Sequence, residues 1–329
     1  MPKDIILLTG AGFTKNFGGF LSSDMWEQFF NNPKMPAELK SLMKKGSKGD
    51  DDYFNYEDIV EIVLKEEKYS GYRDKLKEII EEAYVRQESN IKASLIGHAG
   101  LVGCMQAFMY DNVSLFFTLN QDTFVEKYLR SFGIATSLAL PYLDPKGANW
   151  DEITFQLPDE KSLSPGAIPI LTNDKIVNYI KLHGSMNWYD SKGKNFPVIG
   201  KNKREMIARE PMLRKYYEYF GDELKSGKKL LIIGYSFLDK HINEMVRDGV
   251  EKGLKLFIVD VISARQFYAN LMGRPANGSS IMYNVSESHR RILSAIWPGV
   301  SGYLKINNID ELLGGKTSNT REKFPVLFA

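Results

Sequence analysis

The chain has 329 residues, 43 of them basic and 41 acidic, so its formal net charge of +2 offers no general attraction to nucleic-acid backbones or anionic lipid. Apolar residues make up 43% and charged residues 26%, proportions of a globular chain that folds on its own core, which excludes a disordered chain. A single cysteine, Cys104, excludes both an intramolecular disulfide and a four-thiolate zinc site, and it fits a reducing compartment. The apolar run after Met1-Pro2-Lys3-Asp4 is too brief for the core of a signal peptide, and no segment approaches the length of a membrane span. A cytoplasmic protein is expected.

Residues 5–8 form the first predicted element, a buried strand, followed at once by Gly10-Ala11-Gly12-Phe13-Thr14, a glycine turn that opens toward a helix. This is the opening of a nucleotide-binding βα unit. Short apolar runs recur at 115–119, 176–182, 230–233 and 256–259, each bounded by Gly, Asn, Asp or charge. Such runs suit a Rossmann-like parallel sheet with helices on both faces. About a hundred residues separate the first two runs, more than one crossover helix requires. Within them, 56–68 and 72–85 show helical periodicity, 91–110 predicts a closely packed apolar helix, and Gly46-Ser47-Lys48-Gly49 predicts a loop. The expectation is one catalytic domain over 1–329 with an inserted helical subdomain at 21–112. Residues 144–174, rich in Pro, Ser, Asp and Asn, predict a long loop near the ligand edge of the sheet.

The chemistry-bearing residues fall at the ends of the predicted strands. Gly10 and Gly12 allow a tight turn and the approach of a pyrophosphate to a helix amino terminus. The dehydrogenase fingerprint asks for a third glycine where Lys15 stands, which weakens a hydride-transfer reading. Thr118-Leu119-Asn120-Gln121-Asp122 ends the second strand, His183-Gly184-Ser185 the third, Gly234-Tyr235-Ser236-Phe237-Leu238-Asp239 the fourth and Val259-Asp260 the fifth. All stand where open α/β sheets bind ligands.

The succession Gly-Ala-Gly-Phe-Thr, Thr-Leu-Asn-Gln-Asp, Leu-His-Gly-Ser and Gly-Tyr-Ser-Phe-Leu-Asp resembles the sirtuin catalytic core, particularly its bacterial sirtuin-like branch of antiphage NAD hydrolases. The resemblance implies that Gly10, Ala11, Gly12, Phe13 and Thr14 hold the NAD pyrophosphate, with Gly184 beside the catalytic residues. It implies that Asn120 and Asp122 line the nicotinamide-ribose pocket and that His183 is the catalytic base. Gly234 and Ser236 would meet the phosphate and adenosine side, and Asp260 the adenosine ribose. Sirtuin deacylases carry a four-cysteine zinc module, which a chain with one cysteine cannot contain, so no metal is expected. Asn16-Phe17-Gly18-Gly19-Phe20 also departs from the deacylases' proline-containing cofactor loop.

The implied function is an NAD glycohydrolase releasing nicotinamide and ADP-ribose, used to deplete NAD in antiphage defence. Control by homo-oligomerisation, or by a partner in trans such as a HerA-type ATPase or another sensor, is expected from the same resemblance. The chemistry agrees: nicotinamide leaves from a cationic centre, a carboxylate such as Asp122 or the Asn120 dipole stabilises an oxocarbenium-like ribose, and neutral imidazole takes a proton. The alternatives are a module that senses NAD or ADP-ribose without cleaving it, a protein deacylase or ADP-ribosyltransferase, and a pyridine-nucleotide oxidoreductase. Other features have plainer readings. His98, His241 and His289 are ascribed to packing and capping, and Asp122 and Asp239 equally to function and to helix capping. Tyr216-Tyr217-Glu218-Tyr219-Phe220 is ascribed to a helix packed on the sheet, and the apolar 324–329 to a segment covered by its own domain or another subunit.

Overall fold

The computed structural model describes residues 3–45, 56–95, 99–129, 136–138, 155–163, 168, 170, 175–193, 203–272, 286–313 and 327–328. The first apolar run forms β1 (Ile5–Thr9), buried along its whole length, and turns directly into the short α1 (Ala11–Lys15). There follow α2 (Ser22–Asn31), α3 (Ala37–Lys45), α4 (Tyr56–Lys65), α5 (Arg73–Leu95) and α6 (Ala99–Asn112), and the chain then re-enters the sheet at β2 (Val113–Thr118). A short helical segment, Val125–Leu129, precedes β3 (Thr136–Leu138), β4 (Phe155–Gln156), β5 (Val177–Lys181) and β6 (Trp188–Tyr189). The remainder runs α7 (Lys203–Arg209), α8 (Pro211–Glu223), β7 (Lys229–Ile233), α9 (Lys240–Glu251), β8 (Lys255–Asp260), α10 (Ala264–Leu271), α11 (Glu287–Ile296), β9 (Val300–Lys305) and α12 (Asp310–Leu313). Among the described residues no helix is long and apolar enough to cross a membrane.

Seven strands pair in the order β3-β5-β2-β1-β7-β8-β9, every neighbouring pair parallel. Parallel strands require crossovers, and sheets built this way are covered on both faces, which is why the central strands are near-continuous Ile, Leu, Val and Phe. The fold is the Rossmann-like parallel sheet that the spacing of the apolar runs predicts. The five predicted runs are its five central strands. The edges β3 and β9 carry no apolar run; β9 is half-exposed, its Gly302 lying so close to Leu327 and Phe257 that a Cβ would meet Leu327 O at 2.4 Å. Leu327 and Phe328 thus pack on this edge of their own domain.

The helical segment divides between two cores. Residues 25–83 enclose a separate cluster that includes Phe29, Leu39, Ile59, Val63 and Ile79. Ile91 and Leu95 of α5, with Leu101, Met105 and Met109 of α6, belong instead to the core under the sheet. The helix predicted over 91–110 falls on the end of α5 and on α6, with 96–98 outside the described residues, while the helix predicted from 72 begins at Arg73 and continues to Leu95. The loop at 46–49, His98 and most of 144–174 lie outside the described residues.

β1 and β7 are neighbours, and the crossover after β1 runs to β2 on one side while that after β7 runs to β8 on the other. Such a switch point opens a crevice beyond the carboxyl ends of the two strands, and it gathers the loops after β1, β2, β5 and β7 into one place.

Candidate functional site

The loops after β1 and β7 meet back to back. Gly12 N donates to Gly234 O at 3.0 Å, and Gly10 N donates to Ile233 O at 3.1 Å. A Cβ on Gly10 would come within 2.6 Å of Gly234 O, one on Gly12 within 2.8 Å of Gly234 Cα, and one on Gly234 within 2.3 Å of Phe13 N. Gly234 also has φ +64°, a left-handed conformation that favours glycine. These glycines are therefore required by backbone-to-backbone packing. The amides of Gly10, Gly12 and Phe13 all donate within the protein, Phe13 N to Gly10 O at 2.9 Å, so the turn does not offer a full set of amides to an anion. Phe13 itself is a core residue, its ring edge-on to Phe17, Phe116 and Phe124.

The β2 loop is tied to this turn by side chains. Thr9 Oγ1 donates to Thr118 Oγ1 at 2.9 Å, and Thr118 Oγ1 accepts from Asn120 N at 3.1 Å. Asn120 Nδ2 donates to Gly10 O at 3.0 Å and to Thr14 Oγ1 at 2.7 Å. Both Nδ2 hydrogens are thereby committed, so a hydrogen bond from Asn120 to a ligand has to use Oδ1 as the acceptor. Thr14 also hydrogen-bonds Asp122, joining three predicted site residues into one network. Burial raises the Asp122 pKa, opposed by nearby Lys181 and by the Phe124 N–H, which donates to Asp122 Oδ1 at 3.0 Å. Gln87 Nε2 of α5 reaches Asp122 Oδ2 at 3.4 Å. Asp122 thus both caps the turn that follows and stands in the network.

Lys181, the last residue of β5, locks the β2 and β5 loops together. Its ammonium is fully buried, ion-paired with Glu126 Oε1 at 2.9 Å, and it donates to Ser185 Oγ at 2.7 Å, to Gln121 O at 3.4 Å and to Asp122 O. No feature of Lys-Leu-His-Gly-Ser at the sequence level distinguishes this lysine from a solvated one at a strand end.

His183 follows two residues later and is 3% exposed. Its pKa is lowered to about 3 by burial, with Asp239 pulling the other way, so the imidazole is neutral at physiological pH. A hydrogen bond with the Leu119 backbone orients the ring beside Asn120. Opposite stands His241, the second residue of α9, with its Nε2 3.4 Å from His183 Nε2. Burial lowers its pKa to about 4. His241 Nε2 also lies 3.0 Å from the Tyr217 hydroxyl of α8. Asp239 makes no capping bond to α9 and instead ion-pairs with Lys203 Nζ at 3.0 Å. Lys203 in turn reaches Glu57 of α4 at 3.1 Å, so the inserted helices touch the site. Burial disfavours the Lys203 charge, but Asp239 and Glu57 overcome this and hold its pKa above the ordinary value. Burial likewise disfavours the Asp239 carboxylate, yet Lys203 and the two histidines keep it well below the usual range.

His183, Asp239 and His241 are the one place among the described residues where three metal-ligating side chains converge, their ligand atoms within 4.8 Å of one another. The geometry is that of a hydrogen-bonded pair. The ring centroids are 5.6 Å apart, longer than the Nε2 to Nε2 distance of 3.4 Å by almost two ring radii, so the nitrogens meet head-on.

Gly184 has φ +71° at the bend after His183, Ser236 is exposed, and Asp260 Oδ1 at the end of β8 accepts from Val261 N at 2.6 Å and Ile262 N at 3.3 Å. Burial raises the Asp260 pKa, opposed by these amides. His289 packs in the core with its Nε2 2.8 Å from Asn243 Nδ2, as its packing role predicts. His241, Tyr217 and Lys203 carry no motif of their own; only the Asp-Lys-His start of α9, next to the Gly-Tyr-Ser-Phe-Leu-Asp strand end, hinted at His241.

Comparison with solved structures finds distant likenesses. A Sir2 homologue mutant in complex with 2'-O-acetyl ADP ribose shares 12% identity over 92% of this chain and 94% of its own, with a TM-score of 0.38. A Sir2 homologue mutant in complex with ADP ribose shares 10% identity over 92% and 94% of the two chains, with a TM-score of 0.40. Structures of Sir2 enzymes include a further likeness of 12% identity over 90% and 92%, with a TM-score of 0.34. These are too remote to carry residue roles. No curated protein sequence matches significantly. Residues 114–267, from β2 into α10 and including Asn120, Asp122, His183 and Gly234, match the family model described as a SIR2-like domain.

Proposed function

We propose that this chain cleaves NAD at the bond between nicotinamide and ribose and transfers the ribosyl carbon to water. The observation that carries the reading is the placement of a neutral, buried His183, held by the Leu119 backbone, next to Asn120 and the Thr14–Asp122 network at the sheet's switch point. Support comes from the SIR2-like match over residues 114–267, which hold Asn120, Asp122 and His183.

In this reading nicotinamide departs with the electron pair of its glycosidic bond, becoming neutral as it leaves. Positive charge develops on the ribose, where the Asn120 Oδ1 dipole and the Asp122 carboxylate stabilise it. Asn120 Oδ1 accepts a hydrogen bond from the attacking water or a ribose hydroxyl, and His183 Nε2 takes the released proton. The Ala11 amide, at the exposed start of α1, is the turn amide left for a phosphate oxygen, while Gly234 and Ser236 border the adenosine side and Asp260 its ribose. The role in antiphage defence, homo-oligomerisation and a HerA-type or other sensor partner remain proposals that rest on the sirtuin resemblance.

A binding module that senses NAD or ADP-ribose without cleaving it is the second reading, favoured by the low proton affinity of the buried His183. Purified protein incubated with NAD, with the products separated by chromatography, decides between them. Nicotinamide and ADP-ribose formed by the wild type, and lost in His183→Ala and Asn120→Ala, support the hydrolase. Intact NAD with tight binding supports the sensor, and intact NAD without binding refutes both.

A further inference from the structure

We propose that His241 and Tyr217 are positioning residues for His183: His241 holds the base's lone pair with its own N–H and turns that N–H to the Tyr217 oxygen when a substrate hydroxyl arrives. The inference deepens the proposed reaction and rests on it for its kinetic consequence, but not for its structural claim.

The argument begins with the backbone. Leu119 N already donates to Thr9 O at 2.9 Å, so the Leu119 group that hydrogen-bonds His183 is its carbonyl, which can only accept. His183 Nε2 faces His241, so the nitrogen donating to Leu119 is Nδ1. A neutral imidazole has one N–H, and with it on Nδ1, Nε2 carries only a lone pair. Two lone pairs do not meet head-on at 3.4 Å, so the hydrogen between the rings belongs to His241 Nε2. This satisfies a buried acceptor that would otherwise be costly to leave bare.

Tyr217 supplies the alternative acceptor. Its oxygen is 3.0 Å from the same His241 Nε2, nearer than His183. Burial, with Asp239 adding to it, raises the phenol's pKa well above the ordinary value, so it stays a neutral hydroxyl able to accept. One donor therefore stands between two acceptors. When water or a ribose hydroxyl presents its O–H to His183 Nε2, the His241 N–H turns to Tyr217 and the lone pair is released. Where the hydroxyl is that of water, its O–H bond breaks, the proton goes to His183 Nε2, the water oxygen bonds the ribosyl carbon, and nicotinamide leaves with the glycosidic electron pair; a ribose hydroxyl is held at the same lone pair without bonding that carbon.

The test is nitrogen NMR of the whole protein labelled with 15N-histidine, at neutral pH and without ligand. His183 is expected as the Nδ1–H tautomer and His241 as the Nε2–H tautomer, with a 15N–15N coupling across the hydrogen bond. A His241 proton on Nδ1, or a His183 proton on Nε2, overturns the proposal whether or not the protein cleaves NAD. Tyr217→Phe removes the second acceptor, so kcat for NAD cleavage should fall about tenfold with KM little changed. An unchanged kcat overturns the hand-over, and a failure of the wild type to cleave NAD refutes the reaction while leaving the tautomers to decide the histidine pair.

Discussion

Lys181→Met is expected to destabilise the protein by about 3–5 kcal/mol, because it removes one partner of a buried ion pair and leaves the other behind. The wild-type ammonium serves four acceptors at once: Glu126, Ser185 Oγ and the carbonyls of Gln121 and Asp122. Methionine fills the same space but donates nothing. Among the described residues, the Glu126 side chain, 4% exposed, keeps the Tyr179 hydroxyl, which donates to its Oε2 at 3.3 Å. A loss of this size is a large fraction of the roughly 5–15 kcal/mol that holds a domain together. Urea unfolding monitored by far-ultraviolet circular dichroism, at low and high salt, measures it. The same loss at both salt concentrations is expected, since a fully buried pair is poorly screened. Adding Glu126→Gln to Lys181→Met should recover at least about 2 kcal/mol, because the uncompensated charge is gone. A loss below about 1 kcal/mol, or one that salt abolishes, would refute the reasoning and mark the pair as solvated.

Gly234→Ala places a Cβ 2.3 Å from Phe13 N at a φ of +64° and should cost upwards of about 2 kcal/mol, read from the urea midpoint. Asn120→Asp keeps the shape but loses both donors to Gly10 O and Thr14 Oγ1; a stability loss of about 1–3 kcal/mol is expected, together with NAD cleavage reduced about a hundredfold in a product assay. Acid should destabilise the fold. The folded pKa values of His183 and His241, lowered to about 3 and about 4, lie below the ordinary histidine value of 6.5, so the unfolded chain binds more protons between those limits. Stability is full above about pH 6.5 and falls by about 1.4 kcal/mol per histidine for each pH unit below it, a slope that thermal melts between pH 7 and 5 would show in the wild type and lose in part in His183→Ala.

The central strands were legible because a parallel sheet covered on both faces demands uninterrupted apolar runs, and 5–8, 115–119, 176–182, 230–233 and 256–259 have no other use. The edges were not, because β9 faces solvent along much of its length and β3 is three residues long. At the site, Asn120 and His183 were legible from their place after strands. The packing of the Phe13 ring against Phe17, Phe116 and Phe124 was not legible, since nothing in a glycine-turn neighbour tells which way its side chain turns. His241, Tyr217 and Lys203 come from α9, α8 and α7 and meet only in three dimensions, 58 residues separating His183 from His241. Tyr217 was read as helix packing and His241 as packing or capping, because periodicity has no term for what stands opposite.

The most direct test of NAD hydrolysis is to run the reaction in water enriched in 18O and weigh the products by mass spectrometry. The account predicts free nicotinamide and ADP-ribose carrying one 18O at the ribosyl carbon, with neither product formed by His183→Ala. NAD recovered intact, or ADP-ribose found attached to protein with no 18O incorporated, would contradict it.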